Sequence, residues 1–354
     1  MSSSSVPLDT SLDFSNDPEE IDTEGKVQDV FPQSPIHYNL RTLSYSGILT
    51  LHSCPRKFEL YRLLPRADED DTAGHLAFGT VVGNGIQEYI VTSDLNKAIL
   101  RVFLDWKDNL DSESGAKSAK TFWHAVWAVE KFVGFYAQEL SNYEVAVFNG
   151  KPAVELGFDI DCGNGFRLRG KLDALLIHKV KREFLVIECK TTGLSNVSEA
   201  MYKNSAQAVG YGVVVDAVAH QSAAVSNSYS VLYPVYKTKA QEWEPFRFPK
   251  SYAQRALWIQ SILYDIAHIE QYHEMEFFPQ HGESCLSFNR ACQFFGLCHL
   301  SNKHLVGKLS KVKIRLDGLE EFPLRFSLGE LVDAQVARGL DLADSNGEQE
   351  EGDE

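Results

Sequence analysis

Apolar positions along the chain follow two different periods, and the change from one to the other predicts alternating helices and strands. A spacing of three to four residues is typical of the buried face of a helix, whereas alternating or short continuous apolar runs bounded by turn residues are typical of strands. Helices are predicted at 46–64, 75–92, 95–107, 118–142, 197–219 and 250–275, and strands at 152–160, 166–177, 183–190, 228–236 and 243–248. Strands with interleaved helices predict an α/β fold.

Two of the predicted strands flank the short charged turn 179–182 and are expected to form a hairpin. With the turn centred in that segment, antiparallel pairing sets Asp173 directly across from Glu188 and Lys171 across from Lys190. Apolar residues occupy both faces beyond these charges, so the hairpin is predicted to be central in a sheet. The face shared with the charges carries Leu175, Ile177, Phe184 and Val186, and the opposite face carries Leu172, Ala174, Leu176, Leu185 and Ile187.

The facing carboxylates of Asp173 and Glu188 suggest a metal site. Like charges directly opposite each other destabilise a hairpin, and a partly buried carboxylate needs a partner. A divalent cation between the two side chains satisfies both requirements. The alternative is a strand end in solvent, where Asp173 pairs with Lys190 and Lys171 with Glu188. These two strands alone do not decide between the alternatives.

Charge is concentrated at the two ends of the chain. The net charge is -15, of which residues 1–40 and residues 341–354 contribute -7 each, leaving -1 for residues 41–340. Both ends are rich in Ser, Asp and Glu, a composition that predicts disorder. The nearly neutral body can therefore present a basic groove. Candidates for that groove are Arg56, Lys57, Arg62 and Arg66, although a solvated helix face explains each of them equally well.

The overall composition predicts a soluble globular protein. A chain of 354 residues with 44% hydrophobic residues can bury one substantial core or two small ones, and no apolar run is long enough to span a membrane. The serine-rich start has neither a basic nor an apolar segment, so no secretory signal is expected. In a cytosolic setting the six cysteines are more typical of metal ligands or buried thiols than of disulfides.

Several of these residues occur in an order that resembles the RecB-like branch of the PD-(D/E)XK nuclease superfamily. The resemblance extends over residues 43–300 and implies a restriction-endonuclease-like core, a mixed central sheet flanked by helices, with a helical insertion at about 75–142 and a C-terminal cysteine segment. The motifs that carry it are Leu43–Ile48, Cys54–Leu60, His75, Gly170–Asp173, Glu188-x-Lys190 and Gln207-x-x-x-Tyr211.

The resemblance implies a role for each motif residue. Asp173 and Glu188 would hold Mg²⁺ or Mn²⁺, hard cations that prefer oxygen ligands, while Lys190 would position or deprotonate the attacking water. Further ligands would be His75 and the backbone carbonyl of Cys189. Gln207 and Tyr211 would orient DNA or the metal site, although an ordinary amphipathic helix also explains them. Glu155 is a second-rank candidate, either a further acid of the site or a strand-edge charge.

A second metal centre is implied by the cysteines. Three of them lie within fourteen residues near the C-terminus, and with one N-terminal cysteine they resemble the iron–sulfur site of the AddB-type and CRISPR-adaptation exonucleases. The six-residue spacing between the first two departs from the two residues of the best-known members, and four thiolates suit zinc as well as a [4Fe–4S] cluster. The four are Cys54, Cys285, Cys292 and Cys298; His281, His299 and His304 are alternative ligands, and Cys162 and Cys189 are expected to be plain thiols.

These features together predict a metal-dependent DNA nuclease, an exonuclease of DNA ends or single strands in replication, recombination or repair. The chain has no Gly-x4-Gly-Lys-Ser/Thr motif, so unwinding would need a helicase or recombination partner. The resemblance implies the cytoplasm of a prokaryote or a phage-infected host. The alternatives are a non-catalytic DNA-binding or assembly subunit and an RNA-directed nuclease. The predicted organisation is an acidic segment 1–40, a nuclease domain 41–305, an extension 306–340 and an acidic tail 341–354.

Overall fold

The computed structural model describes most of the predicted nuclease domain. It covers residues 38–63, 73–106, 120–148, 150–221, 229–287, 290–300, 322 and 324–330. The acidic tail 341–354, nearly all of the segment 1–40 and most of the extension 306–340 lie outside the described residues, so the division into these regions stays a prediction.

The helices whose bounds lie within the described residues alternate with the strands of a central sheet. They are α1 Tyr38–Arg41, α2 Tyr45–Ser53, α3 Pro55–Leu63, α4 Ala73–Thr92, α5 Leu95–Trp106, α6 Phe122–Leu140, α7 Ala200–Lys203, α8 Ala206–Gln221 and α9 Tyr252–Glu274. The prediction of a single helix at 46–64 is wrong in one respect, because the chain forms two helices that are separated at Cys54. Pro55 lacks a backbone N–H and disfavours a helical conformation in the preceding residue, and Cys54 is extended (φ -162°, ψ 107°).

The central sheet is mixed. Its strands are β1 Thr42–Leu43, β2 Tyr143–Val145, β5 Val154–Asp161, β6 Arg167–His178, β7 Phe184–Ile187, β8 Lys190–Thr192, β9 Tyr229–Lys237, β10 Glu242–Pro249 and β13 Leu324–Ser327, with the main order β10-β9-β7-β6-β5-β13. Two small hairpins lie apart from it: β3 Val147–Phe148 with β4 Lys151–Pro152, and β11 Leu286–Ser287 with β12 Arg290–Ala291. The β5–β6, β6–β7 and β9–β10 pairs are antiparallel, and β7 and β9 are parallel. The predicted α/β architecture is confirmed.

The predicted hairpin register is also confirmed. Ala174 pairs with Ile187 and Ile177 with Phe184, which is the alignment that a turn centred within 179–182 requires. Extending this register by one residue sets Asp173 beside Glu188. The strand predicted at 183–190 is interrupted, however, because β7 ends at Ile187 and the chain resumes as β8 with β9 as its partner.

Two apolar cores cover the two faces of the sheet. One contains Leu175 and Val186 with the inner faces of α8 and α9, and the other contains Leu176 and Leu185 with α4, α5 and α6. The assignment of Leu172 to the same face as Ala174 is wrong, since Leu172 packs in the first core. None of the helices described is both long enough and apolar enough to cross a membrane.

Candidate active site

Glu188 lies in the gap between β7 and β8. Its backbone N–H donates to the carbonyl of Leu232 in β9 (3.0 Å), and the residue is only 3% exposed. The neighbouring Cys189 N–H donates instead to Asp173 Oδ2 (2.9 Å). The interruption therefore turns one backbone amide toward the opposite carboxylate and holds both acids at the end of the hairpin.

The two carboxylates share an environment that favours their neutral forms. Burial, followed by the charge of Glu188, raises the pKa of Asp173. Burial also raises the pKa of Glu188, against the opposing effect of Lys190. Two buried acids with raised pKa values are typical of functional sites, although structural networks produce the same effect.

The two oxygens of Glu188 have different surroundings. Oε1 accepts hydrogen bonds from Lys190 Nζ (2.5 Å) and Gln207 Nε2 (2.9 Å). Oε2 is buried and has no hydrogen-bond partner among the described residues. A buried carboxylate oxygen without a partner is costly, so this atom is suited to a ligand that the protein itself does not provide.

Lys190 is held as a cation. Burial by itself lowers the pKa of Lys190, but the charge and hydrogen bond of Glu188, together with Asp173, raise the pKa above its usual value. Its Nζ also donates to Gln207 Oε1 (3.3 Å). An ammonium group in this position can stabilise negative charge on a reacting phosphate, because it keeps its proton at neutral pH.

Gln207 and Tyr211 connect α8 to the hairpin. They are four residues apart and share a helix face, with Gln207 Nε2 donating to the Tyr211 hydroxyl (2.6 Å). The Tyr211 hydroxyl in turn donates to the backbone carbonyl of Lys171 (2.8 Å). Burial, and then the charge of Glu188, raises the pKa of Tyr211, so the phenol stays a neutral donor.

Glu155 is a third carboxylate at the site. It lies across from Asp173 in the β5–β6 ladder, between the pairs Val154–Ala174 and Leu156–Leu172, and its charge contributes to raising the pKa of both Asp173 and Glu188. Its backbone has φ +50°, an unfavourable conformation for a residue with a side chain.

At the strained backbone of Glu155, the side chains of both strands change the face of the sheet that they occupy. Val154 and Ala174 face the α4 core, whereas Leu156 and Leu172 face the α8 core. Strict alternation would put all four on one face. The distortion at Glu155 and Asp173 thus explains why the predicted placement of Leu172 was wrong.

Gln87 was not identified from the sequence. It lies in α4, is 8% exposed, and its Nε2 donates to Glu155 Oε1 (2.6 Å). Asn84 and Glu88 are polar neighbours in the same helix, so the sequence did not single out Gln87. Through Gln87, α4 holds the third carboxylate in place.

We expect Glu155→Gln to weaken Mn²⁺ binding about 10- to 100-fold, the range seen when groups that support metal ligands are lost. The substitution keeps an acceptor for Gln87 but removes one negative charge beside Asp173 and Glu188. Calorimetric titration with Mn²⁺ measures the effect, and Glu144→Gln is a matched control because Glu144 pairs with Arg182 at the far end of the hairpin. Unchanged affinity would make Glu155 a strand-edge charge, as in the alternative interpretation.

Two predicted ligands are not tested by these contacts. His75 lies in the first turn of α4, where the structure describes the backbone and not the side chain. The Cys189 carbonyl follows directly after Glu188, and its role as a ligand stays a prediction. Among the described residues, no three His, Cys, Asp or Glu side chains are close enough together to form a ready metal site.

One N-terminal cysteine and three C-terminal cysteines were predicted to form a single metal site, and all four line one cavity. Its volume is about 280 Å³, and its walls include all four thiol residues: Cys54, Cys285, Cys292 and Cys298. Burial and then the nearby thiols of Cys298, Cys292 and Cys54 raise the pKa of Cys285. All six cysteines are free of disulfides. The break at Cys54 matters here, because it turns this residue out of the helix.

Of the alternative cysteine-site ligands, His281 also lines the cavity, although its Nδ1 already contacts the Ser53 carbonyl (3.0 Å). His304 lies outside the described residues. Cys162 is buried in the α8 core, where burial raises its pKa to about 12, as expected of a plain thiol.

The candidates for a basic groove require correction. Arg56 is 7% exposed, forms an ion pair with Glu59 and donates to the carbonyls of Cys298 (3.2 Å) and Leu300 (2.5 Å). It therefore holds the cysteine segment and does not line a groove. Arg62 lies over the Phe58 ring, and Arg66 lies outside the described residues. Lys57 lines two open cavities.

Comparison with known proteins identifies a family whose model matches most of the chain. The family described as "PD-(D/E)XK nuclease superfamily" matches residues 42–299. No curated protein sequence matches the chain significantly. A solved structure named "Putative exonuclease", from Eubacterium rectale, is similar at 12% identity and a TM-score of 0.41, covering 70% of this chain and 86% of that one. SSO0001 is similar at 12% identity and a TM-score of 0.25, covering 64% of this chain and 96% of that one.

Proposed function

The chain belongs to the PD-(D/E)XK nuclease superfamily, and on that basis we propose that it is a divalent-metal-dependent exonuclease that hydrolyses DNA at ends or in single strands. Its mixed sheet flanked by helices is the restriction-endonuclease-like fold of that superfamily. The observation that carries the proposal is the buried Oε2 of Glu188, which has no hydrogen-bond partner within the described part of the chain and belongs to a carboxylate paired with Lys190 and close to Asp173.

The donor set fits Mg²⁺ or Mn²⁺. Asp173 and Glu188 offer carboxylate oxygens, which hard divalent cations prefer, and these ions complete their shells with water when the protein supplies few ligands. When bound, such a cation polarises the scissile phosphate and lowers the pKa of an attacking water. Glu155, His75 and the Cys189 carbonyl are the further ligands that we propose.

The remaining groups of the site position its reacting parts. The Cys189 N–H fixes one oxygen of Asp173, and Gln207 holds both Glu188 and Lys190. The Lys190 ammonium would then face the phosphate and stabilise the negative charge that develops there. The hydrogen bonds of Lys190 to Glu188 and Gln207 and its raised pKa favour a role in orienting water and stabilising charge.

Lys190→Ala is expected to reduce kcat about 10²- to 10³-fold while leaving Mn²⁺ affinity largely intact, since one preorganised charge is lost. Lys190 also holds down the pKa of Glu188, so the acid limb of the pH–rate profile should move to higher pH. Steady-state kinetics across pH, with the exposed turn variant Lys181→Ala as control, measure both effects. A loss of Mn²⁺ affinity as large as that of a carboxylate variant would contradict this role.

Substrate and polarity are tested with end-labelled single- and double-stranded DNA and RNA, incubated with Mg²⁺, Mn²⁺ or EDTA. Progressive shortening of DNA that requires metal supports the proposal. Cleavage of RNA alone would indicate the RNA-directed alternative, and tight DNA binding without cleavage would indicate a non-catalytic DNA-binding or assembly subunit.

We also propose that Cys54, Cys285, Cys292 and Cys298 bind a [4Fe–4S] cluster, with zinc as the alternative. The supporting observation is the shared cavity between the α2–α3 junction and the C-terminal segment. Four thiolates suit either centre. Because it would link segments more than two hundred residues apart, the centre is proposed to be structural.

The proposed setting is DNA replication, recombination or repair in a prokaryotic or phage-infected cytoplasm. The chain carries no helicase phosphate-binding motif, so strand separation would come from a helicase or recombination partner.

A further inference from the structure

A cavity of about 350 Å³ that combines aromatic and basic residues lies between α7 and the start of α9. Its walls include Lys203, Tyr229, Phe248, Lys250, Ser251 and Gln254. Two of these residues are lysines, and no acid lines the cavity. The Lys203 ammonium forms an exposed ion pair with Glu199, one helical turn away (3.4 Å). No part of the proposed hydrolytic site uses the residues of the cavity.

Lys250 is a buried cation without a carboxylate partner in the described part of the chain. The residue is 3% exposed; its Nζ donates to the Lys203 carbonyl (2.6 Å) and lies over the Phe248 ring (5.4 Å from the centroid). An ammonium group has three donors, and a carbonyl and a ring neutralise none of its charge. Burial accordingly lowers the pKa of Lys250.

The neighbouring Arg255 shows how unusual this arrangement is. Arg255 is similarly buried, at 6% exposed, but its Nε pairs with Asp216 (2.5 Å). Burying an unpaired charge is costly. The fold pairs one of two adjacent buried cations and leaves the other at a cavity wall, which indicates that an external anion completes the site.

The same cavity lies at the N-terminus of α9. This helix is 23 residues long and begins with a capping box formed by Ser251 and Gln254. The N-terminus of a helix carries partial positive charge and favours anions, phosphate groups in particular. The positive end of the α9 dipole therefore adds to the positive charge of Lys250 and Lys203 at the cavity.

The cavity is within reach of a strand bound at the carboxylates. Leu232, which accepts the Glu188 N–H, and Tyr229, which lines the cavity, are both in β9. Three residues of a strand span about 10 Å, roughly three steps of a B-form strand. Tyr202, which precedes Lys203, contacts the Tyr233 ring with the two centroids 4.9 Å apart, and Tyr233 lies close enough to Glu188 for that charge to raise its pKa.

We propose that the cavity formed by Lys203, Lys250 and the start of α9 binds a phosphate group of the nucleic acid that the active site cleaves. The nature of the ligand rests on the proposed function. Occupation of the cavity would fix the strand at a set distance from Glu188.

The test is DNA affinity in EDTA as a function of salt, so that binding is measured without cleavage. Lys203→Gln and Lys250→Gln should each weaken binding about tenfold at low salt, equivalent to one charge-assisted hydrogen bond. Each should also reduce the slope of log affinity against log salt by about one. Lys239→Gln, in the exposed turn that joins β9 and β10, is the matched control and should change neither quantity.

Strands with a 5′-phosphate and with a 5′-hydroxyl distinguish the source of the phosphate. A larger loss with the 5′-phosphate identifies a terminal group, and equal losses identify an internal phosphodiester. An unchanged affinity and slope in Lys203→Gln overturns the proposal, whatever happens to the fold of Lys250→Gln, because the Lys203 side chain is 61% exposed and its replacement leaves the core intact. DNA binding that depends on both lysines in a protein that never cleaves would preserve this site and reject only the nuclease activity.

Discussion

Asp173→Asn and Glu188→Gln will abolish hydrolysis and at the same time stabilise the metal-free protein. Each substitution removes a carboxylate from the proposed cation site, and groups that act as a unit typically cost on the order of 10³-fold or more in rate when one is lost. Each also removes a buried negative charge that faces another. Asn at 173 keeps the acceptor for the Cys189 N–H, so the backbone contact survives.

The gain in stability has a defined pH dependence. The folded-state pKa values of Asp173 and Glu188 are raised, so the stability of the wild-type protein in EDTA falls as pH rises from the ordinary carboxyl pKa through the raised values. The amide variants lack this decline and should be more stable at neutral pH. A gain of about 1 kcal/mol would raise Tm by roughly 1–2 °C for a chain of this size.

Asp159 provides a control for which the amide substitution should lower stability instead of raising it. This residue is fully buried but accepts hydrogen bonds from the Nε atoms of Arg167 (2.8 Å) and Arg169 (3.1 Å). Breaking a buried ion pair typically costs about 3–5 kcal/mol, so Asp159→Asn should lower Tm. Thermal melts in EDTA across pH compare the three variants. Full cleavage by both site variants, or a loss of stability like that of Asp159→Asn, would reject the site.

The protein purified without oxygen is expected to be brown, with broad absorption near ~400 nm and about four irons. Replacing any of Cys54, Cys285, Cys292 or Cys298 with Ser should remove the colour and reduce solubility, because the centre joins the α2–α3 junction to the C-terminal segment and metal binding is coupled to folding. Iron and zinc analysis with the visible spectrum measures the result.

Cys162→Ser and Cys189→Ser are the controls and should keep the colour, since neither residue lines the cysteine cavity. A colourless protein with one zinc would retain the four-ligand site and exclude iron–sulfur. A well-folded protein with no metal and four reactive thiols would exclude the centre entirely.

The hairpin was predictable because its information is local. Strand residues alternate with a period of two, and a short turn fixes which residues face each other, so Asp173 could be placed beside Glu188 without any distant contact. The helix break at Pro55 was equally available from the sequence but was missed.

The features that the sequence did not predict depend on contacts with residues far away in the chain. After Ile187 the pairing with β6 ends, while β8 continues along β9 in the register of β7. The burial of Arg56 depends on carbonyls at 298 and 300. Gln87 acquires its role only through Glu155, itself in a backbone conformation that no local pattern indicates. Periodicity describes which face a residue occupies and not which distant group it contacts.

The hydrogen bond from the Cys189 amide to Asp173 allows a backbone amide signal to report on the state of the Asp173 carboxylate. An amide proton shared with a carboxylate changes its magnetic environment when that carboxylate gains a proton or coordinates a cation. The ¹⁵N–¹H resonance of this one residue therefore reports the occupancy of the site in solution, without a substrate and without any substitution. The Lys179 amide, bound to the Asn142 carbonyl at the far end of the same hairpin, supplies an internal reference away from the site.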